Sequence, residues 1–229
     1  MSPASPQPLL FLGAGGHARD LLDLVQDINA VAGPRYQIRG FLDDDPRLAG
    51  TRLEDVPVLG PLAAVAAHPD AVFVSCLGSP SSYRRKESIL QPLGLSRERY
   101  ATLIHPTAFV SRYATIGQGC LLFPGVTVHG GAVLGDHLLL LSQVVVNHDC
   151  LVGDHTTLAA SVNLAGGVRV GRRCYLGASC CLRGGLVVGD EALVGMGSVV
   201  LEDVLPGTVV AGNPARLLRA APAAGSCQG

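Results

Sequence analysis

Aliphatic side chains recur at every sixth residue through the second half of the chain. From Ile104 to Val200, every position at this spacing is Ile, Leu or Val. An α-helix repeats every 3.6 residues and an ordinary strand every two, so neither element requires a period of six. A strict repeat of this length is typical of a solenoid in which each hexad forms one short wall segment. The pattern therefore predicts an all-β solenoid over residues 104–219.

The first hundred residues lack this period and alternate short apolar runs with amphipathic segments. The predicted elements are a strand at Pro8–Leu12, a helix at Ala18–Ile28, strands at Tyr36–Leu42 and Val56–Leu59, a short helix at Pro61–Ala67, a strand at Ala71–Leu77 and a helix at Ser81–Leu90. Such alternation is typical of a parallel sheet with helices on both faces. We therefore predict a small Rossmann-like α/β domain at residues 1–103.

Glycine adds a longer period to the repeat. It directly follows the aliphatic residue at every eighteenth position, namely Gly117, Gly135, Gly153, Gly171 and Gly189. Eighteen residues are three hexads, so each turn of the solenoid is predicted to be a triangle of three short strands. We expect glycine at these corners because it adopts the positive φ that a sharp bend requires.

One segment of the repeat is apolar on both sides of its wall. Between His137 and Val146, residues Leu139, Leu141 and Val145 fall out of phase with the inward positions. An apolar outer surface of this kind marks a contact. We predict that this wall is buried against another subunit.

Composition narrows the possible functions. Charged residues make up 15% of the chain and the formal net charge is −1, which argues against binding to nucleic acid or to an anionic membrane. The first residues lack the basic segment and the long apolar run of a signal peptide or membrane span. We therefore expect a cytoplasmic protein, with a disordered tail at residues 220–229.

The seven cysteines are placed to fill the core rather than to form disulfides or a metal site. Four of them lie two residues before a ladder aliphatic, where Ala, Thr and Ser also occur: Cys120, Cys150, Cys174 and Cys180. A small side chain suits that position, so we expect buried, reduced thiols. The other three show no spacing typical of a metal site: Cys76, Cys181 and Cys227.

His148 is the strongest candidate for chemistry in the repeat. It lies beside Asp149, in a hexad where Asn147 occupies the position of the usual corner glycine. An imidazole next to a carboxylate, partly shielded at a subunit contact, is well suited to accept a proton near neutral pH. The alternative is a corner histidine that only hydrogen-bonds its neighbour, and the pattern fits both readings equally. His137 and His155, eighteen residues apart, are interpreted as a repeated turn.

A glycine-rich turn joins the first predicted strand to the first helix. The turn Gly13–Ala18 fits the pattern G-x-G-x-x-A, and an acidic pair, Asp43 and Asp44, follows the next strand. Such a turn lets a phosphate approach the backbone, and the helix N-terminus favours its negative charge. A plain tight turn explains the pattern nearly as well. His17 inside the turn is unusual for a redox dinucleotide loop and favours another ligand.

Five motifs together resemble one family of enzymes: Gly13–His17, Phe41–Asp44, Ile104–Pro106, Asn147–Asp149 and Gly212–Arg216. They resemble the sialic-acid O-acetyltransferase and nucleotide-4-amino-sugar N-acetyltransferase group of bacterial hexapeptide-repeat proteins, over nearly the whole chain. The resemblance implies a left-handed parallel β-helix and a cytoplasmic homotrimer with active sites between subunits. It also implies acetyl-CoA-dependent N-acetylation of the 4-amino group of a nucleotide-linked amino-deoxy sugar.

The resemblance implies a role for each candidate residue. The histidine that matches His148 is the general base, and the acid that matches Asp149 orients it. The nucleotide sugar is bound by the turn and the acidic pair, that is Gly13, Gly15, Gly16, His17, Asp43 and Asp44. Acetyl-CoA, the only cofactor implied, lies between neighbouring prisms near Gly166, and Arg216 belongs to the ending typical of coenzyme A-dependent members. No metal is implied. Some relatives carry an asparagine seven residues before the base, where this chain has Leu141, so that sugar contact is not carried over.

Three other functions are compatible with the same prism. The acceptor group can be a hydroxyl, as in a sialic-acid-type sugar O-acetyltransferase. A γ-class carbonic anhydrase holds zinc with three histidines, but the spacings among His129, His137, His148 and His155 lack the closely spaced pair that such a site uses. A non-catalytic protein that binds sugar nucleotides is the third alternative. The sequence leaves the sugar, the nucleotide (UDP, GDP or dTDP), the acyl group and the pathway open.

Overall fold

The computed structural model describes residues 5–75 and 77–220. Its N-terminal elements are β1 (Gln7–Leu12), α1 (Ala18–Ala32), β2 (Tyr36–Leu42), β3 (Arg52–Leu53), β4 (Val56–Gly60), β5 (Val72–Ser75) and α2 (Lys86–Leu90), with 3-10 segments at Leu62–Ala67, Tyr83–Arg85, Gln91–Leu93 and Arg97–Arg99. The sheet order is β3-β4-β2-β1-β5. All neighbours are parallel except β3 and β4.

Most of these elements agree with the sequence pattern. Helix α1 extends beyond the predicted end to Ala32 and stops before Gly33, which has a φ of 78°. The single helix predicted at Ser81–Leu90 is wrong, because the segment is divided into a 3-10 turn and the short α2. Both parts are held by the second half of the chain: the Arg84 guanidinium donates to the Glu191 carbonyl, and Lys86 Nζ donates to the His137 carbonyl at 2.5 Å.

Three parallel sheets, called faces 1, 2 and 3, form a triangular prism. Face 1 contains Leu103–Ile104, Leu121–Leu122, Leu139–Leu140, Thr157–Leu158, Tyr175–Leu176, Leu193–Val194, Thr208–Gly212 and the antiparallel Ala215–Ala220. Face 2 contains Phe109–Val110, Thr127–Val128, Val145–Val146, Asn163–Leu164, Cys181–Leu182 and Val199–Val200. Face 3 contains Thr115–Ile116, Val133–Leu134, Leu151–Val152, Arg169–Val170 and Val187–Val188.

The ladder residues from Val110 to Val200 point into the prism and form one core, while Ile104 at its open end is 38% exposed. Strands eighteen residues apart pair in register, as Val128 does with Val146, so equivalent aliphatic side chains stack along the axis. Burial of this continuous apolar column stabilises the prism, because each hexad alone cannot bury its own face. The four inward cysteines, Cys120, Cys150, Cys174 and Cys180, are buried and free, as predicted. Burial raises the pKa of the Cys174 and Cys180 thiols to about 12.

The corners bend at a different residue from the one predicted. Positive φ occurs at every sixth residue from Gly119 to Gly197, three positions after each ladder aliphatic. The glycines that directly follow the aliphatic, such as Gly153, are not among them, so their predicted conformational role is wrong. A Cβ at Gly153 would lie 2.7 Å from the backbone nitrogen of Arg172 in the next coil. Glycine is needed there because neighbouring coils approach closely.

The outward apolar wall contacts the N-terminal part of the same chain. Leu121 and Leu139 are each 1% exposed and pack in one core with Leu24 of α1 and with β1. Leu141 packs against that core too. The prediction that this wall faces another subunit is therefore wrong for Leu139 and Leu141. The α/β sheet and α1 supply the partner surface within the chain.

Some predictions fall on residues that the structure does not describe. Ala220 ends the last strand, and the predicted tail beyond it lies outside the described residues, as do Cys76 and Cys227. Within residues 5–75 and 77–220, no helix is long and apolar enough to cross a membrane.

Candidate active site

His148 and Asp149 form a hydrogen-bonded pair on the edge between faces 2 and 3. The Nδ1 atom of His148 lies 2.9 Å from Asp149 Oδ2, and the side chains are 71% and 72% exposed. Asp149 has a φ of 60°, and this left-handed bend brings the two adjacent side chains together. A carboxylate only accepts, so Nδ1 carries the proton in this pair. The Nε2 lone pair is then free to accept a proton.

The prediction that Asn147 occupies the position of a corner glycine is wrong. On this edge the residue directly after the aliphatic is never glycine; the series is Ser111, His129, Asn147, Ala165 and Arg183. Asn147 therefore does not replace a corner glycine. The next position is glycine in three of the coils, at Gly130, Gly166 and Gly184. It is His148 itself that occupies a glycine position.

Gly166 lies against the imidazole of His148. A Cβ at this position would be 2.5 Å from both Cε1 and Nε2 of the ring. The backbone of the same coil is bonded to His148, because the Gly167 N–H donates to the His148 carbonyl at 2.9 Å. The predicted cofactor-binding residue Gly166 and the predicted base are thus in direct contact.

The N-terminal turn and the acid after β2 are joined as a unit. Gly13 has a φ of 97°, and its N–H donates to the Leu42 carbonyl at 2.8 Å. The Ala14 N–H donates to Asp43 Oδ2 at 2.7 Å. At Gly15 and Gly16 a Cβ would meet no atom within 4 Å, so the backbone there is open to a ligand.

The two predicted acids have different surroundings. Asp43 also accepts a hydrogen bond from the Asp45 N–H through Oδ1, so both of its oxygens hold the backbone near the turn. Asp44 Oδ1 accepts from the Leu62 N–H at 2.8 Å, at the start of the 3-10 segment Leu62–Ala67. Asp44 therefore fixes the connection after β4, while Asp43 fixes the glycine turn itself.

A cavity of about 340 Å³ is lined by His17 and by several residues that the sequence did not single out as a site. It lies between α1 and the edge that joins faces 1 and 2, and it is lined by Asp20, Asp23, Asp27, His105, Leu141 and Ser142 among others. His105 is buried, and its Nε2 lies 2.9 Å from Asp27 Oδ2. The spacing of the three aspartates along α1 was an available signal, since residues three, four and seven apart share one helix face.

Arg216 lies apart from both groups. It is exposed on the last strand, its guanidinium donates to the Ala215 carbonyl, and it lines a cavity of about 270 Å³ with Val200 and Asp203. Within the described part of the chain, no hydrogen bond or ion pair joins the His148 pair, the N-terminal turn and Arg216. The single chain therefore presents the predicted residues as three separate groups. No cluster of three or more metal-ligating side chains occurs in residues 5–75 and 77–220.

Comparison with known proteins gives matches in both halves of the chain. Residues 8–87 match the PglD N-terminal domain, and residues 167–202 match the hexapeptide repeat of succinyl-transferase. UDP-N-acetylbacillosamine N-acetyltransferase of Bacillus subtilis is 32% identical over 116 residues. In that comparison the chain spans about half the length of the curated relative, 49% of each protein being aligned.

Two solved structures resemble nearly the whole chain. The acetyltransferase domain of PglB from Neisseria gonorrhoeae, in complex with acetyl coenzyme A, is 29% identical with a TM-score of 0.79, over 93% of this chain and 100% of that one. PerB from Caulobacter crescentus, in complex with CoA and GDP-perosamine, is 26% identical with a TM-score of 0.79, over 92% of this chain and 97% of that one. Over most of its length the chain is therefore similar to bacterial hexapeptide-repeat sugar acetyltransferases.

The similarity to these proteins confirms the predicted fold class. The chain has a Rossmann-like α/β domain followed by a left-handed parallel β-helix. The exposed His148–Asp149 pair lies on the outer edge of the prism, open to ligands that approach along faces 2 and 3.

Proposed function

We propose that the protein is an acetyl-CoA-dependent N-acetyltransferase that acts on the 4-amino group of a nucleotide-linked amino-deoxy sugar. The observation that carries the proposal is the His148–Asp149 pair, with Nδ1 held at 2.9 Å from the carboxylate. PglB bound to acetyl coenzyme A and PerB bound to CoA and GDP-perosamine, both similar over nearly the whole chain, support the choice of co-substrate and of substrate class.

The reaction uses His148 as general base. The neutral amine of the sugar attacks the thioester carbonyl, so that a C–N bond forms and a tetrahedral oxyanion develops. Nε2 of His148 takes the proton from the attacking nitrogen, and Asp149 stabilises the resulting imidazolium through Nδ1–H. Collapse of the intermediate breaks the C–S bond, and the thiolate of CoA leaves and recovers the proton from His148. Positioned backbone N–H groups stabilise the oxyanion.

The remaining candidate residues are assigned to binding. Residues 1–103 hold the nucleotide sugar through Gly13, Gly15, Gly16, His17, Asp43 and Asp44. Residues 104–219 hold acetyl-CoA beside Gly166, with Arg216 as a further contact. The open backbone at Gly15 and Gly16 at the start of α1 supports a phosphate site there.

The proposal includes a homotrimer in which neighbouring prisms complete each active site. Face 3 supports it, because Val133, Leu151 and Val187 are exposed along a groove of about 770 Å³. Contact between subunits is also a way to bring together residue groups that one subunit keeps apart. A cytoplasmic location is part of the proposal, supported by the free thiols of the five described cysteines, the state expected in a reducing compartment.

The test is a thiol-release assay with acetyl-CoA and a panel of UDP-, GDP- and dTDP-linked 4-amino sugars. We expect turnover with at least one amino sugar, and no turnover with the matching 4-hydroxy sugars. His148→Ala should lower kcat by about 10²–10⁴-fold, the usual contribution of a general base. His129→Ala is the matched control, because His129 is exposed on the same edge one coil earlier.

Three outcomes would contradict the proposal. Acetylation of hydroxyl acceptors alone would identify an O-acetyltransferase. Failure to bind acetyl-CoA would favour a non-catalytic protein that binds sugar nucleotides. A folded His148→Ala variant with the wild-type rate would remove His148 from the chemistry.

A further inference from the structure

We infer that two glycines, Gly166 in the coil after the His148–Asp149 pair and Gly131 in the coil before it, position this pair for reaction. The kinetic part of this inference rests on the proposed function. The geometric part does not, because the contacts exist in the described chain whatever reaction the pair performs.

Gly166 limits where the imidazole of His148 can lie. The ring packs against its Cα, and a Cβ there would be 2.5 Å from Cε1 and Nε2, about 1 Å inside the shortest ordinary carbon contact. The conflict would be with the end of an exposed side chain rather than with backbone. Addition of a methyl group would therefore displace the ring and leave the prism intact.

Gly131, one coil before the pair, lies against the carboxylate of Asp149 in the same way. A Cβ at Gly131 would overlap Oδ1 of Asp149, while Oδ2 of the same carboxylate is bonded to His148. The imidazole therefore lies on a glycine of the following coil, and the carboxylate lies on a glycine of the preceding coil. The backbone at Gly166 limits the position of the imidazole, and the backbone at Gly131 limits the position of the carboxylate.

An exposed pair needs such support. Both side chains are more than two-thirds exposed, so tight packing of large neighbours does not hold them. Their mutual hydrogen bond fixes the distance between them but leaves both rotamers free to move together. Contact with the two glycine backbones removes that freedom, and misplacement of a reacting group by about 1 Å can cost about 10²-fold in rate.

Gly166→Ala tests the inference, with Gly130→Ala as the matched control. Gly130 and Gly166 occupy the same position of the same edge, and neither has a positive φ, so alanine strains neither backbone. A Cβ at Gly130 would meet only Ser111 Oγ at 3.5 Å and Tyr113 Cβ at 3.7 Å, which is ordinary contact. We expect Gly166→Ala to lower kcat about 10²-fold, with an unchanged thermal midpoint. Gly130→Ala should match the wild type in both measurements.

A double variant separates positioning from any other effect of the methyl group. If Gly166 acts only through the imidazole, Gly166→Ala should not lower the residual rate of His148→Ala further. An additional loss in that background, or a higher Kd for CoA with kcat unchanged, would overturn the inference and make Gly166 a cofactor contact alone.

NMR of the imidazole nitrogens gives a readout that does not need turnover. In the wild type we expect protonated Nδ1 and unprotonated Nε2 for neutral His148, and a changed Nδ1 shift in Gly166→Ala but not in Gly130→Ala. Identical spectra in all three proteins would overturn the inference. If the wild type shows this shift pattern but acetylates no substrate, the proposed function fails and the positioning role of Gly166 stands.

A second pair of variants examines Gly131. Gly131→Ala and Gly125→Ala place alanine at similar φ angles, 75° and 70°, so both carry the same backbone strain. A Cβ at Gly125 meets only Gln143, at 3.6 Å. We expect only Gly131→Ala to change the His148 Nδ1 shift, and equal shifts in both variants would exclude Gly131 from the role.

Discussion

Asp149 combines a backbone role with a role in chemistry. Its φ of 60° forms the corner of the coil, and its carboxylate holds His148 Nδ1. Left-handed backbone is tolerated by Asn and Asp far better than by Ala. A substitution can therefore remove the charge and keep the turn.

Asp149→Asn should separate the two roles. The amide oxygen can still accept from Nδ1–H, but the negative charge that stabilises the imidazolium is lost. We expect kcat to fall about 10–10²-fold, with a thermal midpoint close to that of the wild type. Asp149→Ala should lower both kcat and the midpoint, because alanine strains the corner. Equal kcat in Asp149→Asn and the wild type would leave Asp149 with the backbone role only.

Sequence reasoning reached the residues of this pair more reliably than their surroundings. His148 and Asp149 are chain neighbours, so their proximity was readable. The contact between His148 and Gly166 was not, because it depends on the stacking of coils eighteen residues apart and on the direction of the ring. The turn at Gly13 and the acid at Asp43 were found from strand order, but their hydrogen bond was not.

Among the elements, the three faces were the most predictable part of the fold. Each ladder position is Ile, Leu or Val and repeats in register, so periodicity alone locates the strands. The outer surface follows no such rule, because its composition depends on what packs there. On face 1, Leu139 is covered by the α/β sheet and α1, whereas Leu151 on face 3 remains 37% exposed in the single chain.

Leu151→Asp tests the proposed contact through face 3. Burial of a carboxylate at a subunit contact costs its hydration even with a cation near it, as Arg169 is in the neighbouring strand, so we expect the variant to be monomeric. Light scattering should give three times the chain mass of 23.6 kDa for the wild type and a single chain mass for the variant. Val31→Asp is the control, because Val31 is 74% exposed at the end of α1, away from the prism. A trimeric Leu151→Asp variant would place the contact on another face.

In the whole molecule, charged and polar side chains complete the contact between the two halves. Lys86 is buried and donates to the His137 carbonyl, and Glu87 pairs with Arg172 and Arg173. The imidazoles of His137 and His155 stack beside them, with ring centroids 4.8 Å apart. The sequence identified this histidine pair as a repeated turn. It could not reveal the pairing with α2, because 51 residues separate Lys86 from His137 and no local pattern encodes that contact.

The same contact should make the fold sensitive to acid. Burial, followed by the nearby positive charges, lowers the pKa of both His137 and His155 to about 4. Asp154 opposes the shift at both histidines, Asp136 opposes it at His137, and Glu87 opposes it at His155. The ordinary histidine pKa is 6.5, so between pH 6.5 and pH 4 the unfolded chain binds protons that the folded chain does not. Stability is therefore complete above about pH 6.5 and declines as the pH falls toward 4.

We expect the thermal midpoint to fall by about 5–10 °C from pH 7 to pH 5. The double variant His137→Gln, His155→Gln removes the two titrating groups, and glutamine fits the corner because Gln143 adopts the same left-handed φ. Its midpoint should change much less over this range, since carboxylates and the remaining histidines supply only the background dependence. Midpoints measured by circular dichroism at both pH values decide the matter. A double variant with the pH dependence of the wild type would show that other groups cause the acid sensitivity.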